Sequence, residues 1–361
     1  MRPIARKEFA VLRILMLIAY GLLQSIAAAA SAEGTSPLPP PDYTVSGSWP
    51  LGGTSGWDYL ALEAGGARLF VSRGDHVDVV DTVDGRIEGI IPDTAGVHGI
   101  AFAPALKRGY TSNGGSDTVT VFELDTLRVV QEVPVSGQKP DAILYEPQHG
   151  HIITANGASA NLTALDAATL KVAATIALPG PPEFMATDAA GTVYVNIETE
   201  AGKIAAVDAK SLAVKAIWPL PGCSNPTGLA LDVAHHRLFS VCRNQIMAVT
   251  DSLSGKQVAR IVIGTGPDAA AFDPDLGMVF SSNGKDGTLT VIQQETPDEY
   301  RVVATVTTQP SARTMALDPA THKIFLAAAK LGAAPPATDD NPHPRPSVLP
   351  DSFAILVAQP K

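Results

Sequence analysis

Cysteine is almost missing from this chain of 361 residues: there are two, Cys223 and Cys242. That number cannot build a disulfide-stapled mini-domain, and neither cysteine falls in a Cys-x-x-Cys-His haem attachment site or a paired Cys-x-x-Cys zinc pattern. Basic residues are also scarce, with 26 Lys and Arg against 36 Asp and Glu. Taking away residues 1–32 removes four basic residues and one acidic one and leaves the remainder at −13. Such a field repels phosphate backbones and anionic lipid surfaces, and no run of Lys and Arg offsets it, so neither a nucleic-acid partner nor membrane insertion is expected. No His-Glu-x-x-His, Gly-x-Ser-x-Gly or phosphate-loop pattern occurs.

Beyond residue 23 the chain also lacks any apolar run long enough to span a bilayer. The apolar run from Ile14 to Leu23, itself too short to span, follows Arg2, Arg6, Lys7 and Arg13 and precedes Ala30-Ser31-Ala32. These are the three regions of a secretory signal peptide, so export to the periplasm or medium and cleavage after Ala32 are expected. Residues 33–42 read as a Pro-rich linker, and residues 43–361 as one domain.

What the remaining sequence has is a repeat. Seven short apolar stretches open at Asp58, His98, Asp141, Glu183, Thr227, Asp268 and Arg313, in steps of between 40 and 45 residues. Each repeat reads as four strands. In the second, Gly99–Phe102, Arg108–Ser112, Thr118–Phe122 and Val129–Val135 are separated by turn residues, and the third alternates with the period of two that a sheet imposes. Asp81, Asp125, Asp166, Asp208 and Asp251 recur at the third turn, where Asx bonding stabilises a reversal. A period in the forties built from short strands predicts an all-β fold: a seven-bladed β-propeller of four-stranded antiparallel blades, as in WD40-like arrays. The seventh repeat ends without its fourth strand, and the stretch from Tyr43 to Leu51 is the spare one. The ring is therefore expected to close through the N-terminal strand.

The second strand of several repeats ends in Tyr110-Thr111-Ser112-Asn113, Ile153-Thr154-Ala155-Asn156, Tyr194-Val195-Asn196 and Phe280-Ser281-Ser282-Asn283. This resembles the YVTN-repeat propellers, including the YncE-like exported proteins, over essentially the whole chain after the signal peptide. Three repeats depart from the pattern, at Phe70–Arg73, Phe239–Cys242 and Phe325–Ala328. The resemblance implies a fold and carries no catalytic residues with it.

In a propeller the start of the first strand and the end of the second share a face. That face should gather a ring of Asp58, His98, Asp141, Glu183, Asp268 and Arg313 as the ligand-binding group, with Arg73, Asn113, Asn156, Asn196 and Asn283 beside it. His98, Asp141 and Glu183 together suit a divalent metal in the central channel, and the same groups also suit plain mutual pairing, such as Arg313 with Asp268 or Asp58. The Asn residues are expected to serve a left-handed turn conformation. A Pro-rich loop at 331–351 should rise from the same face, with His343 and Arg345 as lid residues. Cys223 and Cys242 fall on one face of one blade. They are either two buried thiols or, given export, a disulfide. The function expected is binding of a small ligand or protein partner by a monomer. The alternative is a lactonase-like or lyase-like enzyme with its site in the funnel. No residue is assigned a catalytic role.

Overall fold

A computed structural model describes residues 41–336, 338 and 346–361. The stretch expected to be a signal peptide, most of the expected linker, and the lid candidates His343 and Arg345 lie outside the described residues. Seven four-stranded antiparallel sheets follow one another along the chain. Blades 1 to 6 are each consecutive in sequence, and their innermost strands are Leu60–Leu62, Val97–Ala103, Pro140–Glu146, Pro182–Thr187, Pro226–Asp232 and Pro267–Asp273. Blade 7 combines Thr314–Asp318, Lys323–Ala328 and Ala354–Pro360 with Tyr43–Pro50 from the other end of the chain. The ring is closed as the missing fourth strand required. Among the described residues no helix is long and apolar enough to cross a membrane.

The apolar core consists of seven layers, one between each pair of neighbouring blades. Phe70 and Phe122 share the layer between blades 1 and 2, Tyr110 and Ile152 the next, and Phe280 and Leu326 the layer between blades 6 and 7. Second and third strands are buried on both faces, while outermost strands such as Ala213–Pro219 alternate exposed and half-buried positions. The stretch from Ala167 to Leu178, rich in alanine, is a turn and an edge strand, Val172–Ala177, because it must pair with Asn161–Asp166.

The quartet that ends the second strand has a separate task for each side chain. The tyrosine reaches the next blade: Tyr110 Oη donates to Ala167 O at 2.9 Å and Tyr194 Oη to Ser252 O at 3.3 Å. The serine holds the next blade's inner strand, with Ser112 Oγ donating to Asp141 O and Ser282 Oγ to Arg313 O. The asparagine fastens its own blade. Asn113 Nδ2 donates to Thr118 Oγ1 at 3.1 Å and Thr120 Oγ1 at 2.8 Å, and Asn156 and Asn283 repeat the pattern. None of these asparagines has a positive φ, so the left-handed conformation expected for them is absent and side-chain bonding is the reason for their presence. Asn196 differs again, donating to Thr227 O and Gly228 O of blade 5. The incoming crossover runs so close over these asparagines that a Cβ at Gly137 would lie 2.4 Å from Asn156 Nδ2.

The aspartates of the third turn act as Asx caps, with Asp208 Oδ1 accepting from Ser211 N and Oγ at 2.7 and 2.8 Å. Blade 2 is the exception. There Glu123, opposite Arg108 as Asp81 is opposite Arg68, takes the capping position and accepts from Thr126 Oγ1 at 2.6 Å. Asp125 instead pairs with Lys107 at the surface.

Candidate functional site

The ring residues reach the channel because the inner strands are irregular at their start. Strand pairing slips between Val97 and Ile100, Pro140 and Ile143, Pro182 and Met185, Pro226 and Leu229, and Pro267 and Ala269. Each slip is a bulge that contains the ring position, and a bulge breaks the alternation of side chains that would otherwise govern it. Repetition of this device in five blades aims His98, Asp141, Glu183, Thr227 and Asp268 at one region.

Five of the six expected residues form one arc across blades 3, 2, 1, 7 and 6. His98 Nδ1 lies 2.5 Å from Asp58 Oδ2 and 3.7 Å from Asp141 Oδ1. Arg313 Nη1 lies 3.2 Å from Asp58 Oδ1 and also pairs with Asp268, while its Nη2 donates to Trp57 O at 2.9 Å. Asp58 therefore sits between the two cations of the arc, and charge alternates from Asp141 to Asp268. Glu183 lies beside the arc and has no cationic partner among the described residues.

The protonation of the group follows from crowding. Burial, then the neighbouring Asp58 charge, push Asp141 up to about 6, against the opposing pull of His98 and a hydrogen bond from Tyr59. Burial and the charges of Asp141 and Asp268 push Glu183 well above the usual carboxylate range. Burial works against the charged form of His98, but the hydrogen bond to Asp58 and the charges of Asp141 and Asp58 outweigh it and hold the imidazole above its ordinary value. Burial also opposes the charge on Arg313, and Asp268 and Asp58 overcome it.

One oxygen from each carboxylate and one ring nitrogen in Asp58, His98 and Asp141 all lie within 4.8 Å of one another, close enough to share a metal ion. Of the trio expected from sequence, His98 and Asp141 belong to this group, and Asp58 takes the place assigned to Glu183. Asp141 Oδ1 is buried and has no hydrogen-bond partner among the described residues. Further along the same strands Tyr59 and Phe184 narrow the channel to a void of about 60 Å³.

Arg73 does not belong to the ring. It is 2% exposed, pairs with Asp78 at 2.9 Å, donates to Gly52 O at 2.9 Å and lies 3.8 Å over the Phe353 ring, so it fastens blade 1 to the closing strand. On the opposite face, His149, His235 and His322 each lean on a buried carboxylate, Glu146, Asp232 and Asp273, and serve turns. Cys223 and Cys242 are joined in a disulfide with Cα atoms 5.4 Å apart, tying the crossover into blade 5 to that blade's second strand.

A second concavity opens on the ring face but away from its axis, toward blades 5, 6 and 7. This cleft of about 890 Å³ is walled by the loops after the second strands of those blades and by the base of the Pro-rich loop. The base is zipped by Gly332 N donating to Ser347 O and Leu349 N to Lys330 O, both at 2.9 Å. Sequence reasoning missed the cleft. Its only signal was that Arg243, Lys285 and Lys330 occupy nearly the same place in successive repeats, one or two residues past the second strand.

No family model and no curated protein sequence matches the chain. Among solved structures it is similar to a chain of Kuenenia stuttgartiensis hydrazine synthase, with a TM-score of 0.68 and 16% identity over 76% of this chain and 92% of that one. At that identity the likeness is one of fold.

Proposed function

We propose that this protein is an exported binding propeller of the YVTN-repeat type that takes a divalent cation, or a small ligand presenting one, at the mouth of its channel. Asp58, His98 and Asp141 supply one nitrogen and two carboxylate oxygens, a donor set suited to a borderline divalent metal. The observation that carries this reading is Asp141 Oδ1, a buried acceptor without a donor, within ligand range of Asp58 and His98. An ion there takes the place of the His98 Nδ1 proton and offsets the burial and the Asp58 repulsion that raise Asp141. Its binding therefore releases protons and strengthens as pH rises from about 6 to 8. Export is supported by the disulfide, which persists in oxidising compartments.

Elemental analysis of the purified protein, paired with thermal melting with and without EDTA, tests the proposal. A stoichiometric metal, a lower melting temperature on chelation, and loss of both in Asp141→Ala are expected. A metal-free protein that is indifferent to EDTA and unshifted by added Zn²⁺, Mn²⁺ or Ca²⁺ overturns it.

A further inference from the structure

We infer that the cleft beside blades 5, 6 and 7 is a binding site for an organic carboxylate with an apolar body. The inference stands independently of metal at the channel mouth.

Three observations converge on it. The first is charge. In a chain with a strong acidic excess, the cleft gathers Arg243, Lys285, Arg313 and Lys330, while Asp268, the one carboxylate among its described lining residues, is committed to Arg313. Arg243 is met by Glu198 at 2.6 Å, but Lys285 and Lys330 have no ion-pair partner among the described residues. The second is donor excess. Trp57 Nε1 and Gln309 Nε2 belong to lining residues and are buried without an acceptor among the described residues. Unmet buried donors are costly, and a wall that is rich in donors and poor in acceptors is complementary to an anion. The third is apolar surface. Trp57, Pro310, Leu331 and Val348 line the same space, and Trp57 is braced by Phe353 with ring centroids 5.4 Å apart.

A small inorganic anion would use the charge and leave the apolar wall wet. A neutral hydrocarbon would bury the donors and lysines against nothing. A carboxylate head on a hydrocarbon or aromatic body uses both, and about 890 Å³ lies within the size range of organic ligand sites. The head is placed between Lys285 and Lys330, and the body against Trp57, Leu331 and Val348.

The test is isothermal titration of the protein with a probe series: acetate, octanoate, decanoate and phenylacetate, with octylamine as the charge-reversed control. Trp fluorescence is followed in parallel. Saturable 1:1 binding of the carboxylates with apolar bodies is expected, absent for acetate and octylamine and accompanied by a change in indole emission. Lys285→Ala and Lys330→Ala should each weaken it about tenfold, as expected for loss of one charge-assisted hydrogen bond. Both side chains are exposed, so folding is spared, and Lys107→Ala, which removes a surface lysine paired to Asp125, should leave affinity unchanged. No saturable binding by any carboxylate at millimolar concentration, equal binding of octylamine, or affinity untouched by both cleft lysine variants would each overturn the inference.

Discussion

Tyr59 of blade 1 packs its ring against Phe184 of blade 4, with centroids 5.2 Å apart. These blades are not neighbours in the ring, so the contact closes the channel just beneath the polar arc and makes the mouth a blind funnel. The Tyr59 hydroxyl also donates to Asp141, and burial followed by the charges of Asp141 and Glu183 holds the phenol protonated.

Tyr59 therefore has two separable contributions. Tyr59→Phe keeps the ring and loses one hydrogen bond, and should cost about 1 kcal/mol. Tyr59→Ala also empties the channel and should cost about 3 kcal/mol or more. Urea unfolding of the two variants checks this, and equal losses would mean that the ring contact contributes nothing.

Asp141 gives the fold a pH dependence of definite sign. Its carboxyl titrates at about 6 in the folded chain and near 3.8 when unfolded. The unfolded state thus ionises first, and stability falls as pH rises from about 4 to 6, then stays level as far as this group is concerned. A shift of this size corresponds to about 3 kcal/mol at pH 7. With any metal stripped by EDTA, Asp141→Asn should match the parent near pH 4 and exceed it near pH 7, by less than that amount because His98 loses a charge partner. Melting temperatures across this range decide the matter, and a difference independent of pH would contradict the assignment.

Asp58 is the counterpart, because it faces both cations of the arc. Asp58→Asn should lower the titration of His98, whose proton Asp58 holds, and cost about 2 kcal/mol by leaving Arg313 with Asp268 alone. An NMR titration of the His98 ring would follow the first effect. An unchanged His98 midpoint would show that Asp141 alone sustains the proton.

Blade number, strand order and ring closure were legible in sequence because each rests on spacing and on turn residues that recur at fixed offsets. The members of the polar ring were legible for the same reason. Their connections were not. Whether Asp58 or Glu183 joins His98 and Asp141 depends on bulges at Val97, Pro140 and Pro182, which leave no pattern distinct from an ordinary strand start. Arg73 reads as a neighbour of the ring by position, yet its guanidinium turns to Asp78 and Gly52 because the closing strand ends beside it. The cleft was hidden more deeply, since cations more than 40 residues apart form no cluster until the repeat is wound into a ring.

The disulfide spans 19 residues and joins two elements on the ring face. By loop entropy it is worth about 3 kcal/mol. The double variant Cys223→Ser with Cys242→Ser should lose close to this amount, and reducing agent should reproduce the loss in the parent. An unchanged melting temperature in both would place the contribution elsewhere.

The closing strand has an importance out of proportion to its length. Tyr43–Pro50 pairs with Ala354–Pro360 along its whole length apart from a bulge at Ser46. Tyr43 is buried in the layer between blades 6 and 7, where its ring meets Phe280 at 5.1 Å and its hydroxyl donates to His322 O at 3.1 Å. At the other end Trp49 covers Phe325 at 5.5 Å and fills the space that a side chain at Gly85 would need, linking blade 7 to blade 1. Deleting residues up to 50 would therefore remove two parts of the core and leave the backbone of Ala354–Pro360 unpaired, an edge open to other chains. Such a chain should aggregate or melt without cooperativity. A synthetic peptide of residues 43–51 should restore a monomeric propeller by pairing with the vacant edge, read by size-exclusion chromatography and calorimetry. A truncated chain that stays monomeric with the parent melting temperature would mean that the ring is held by its inner strands alone.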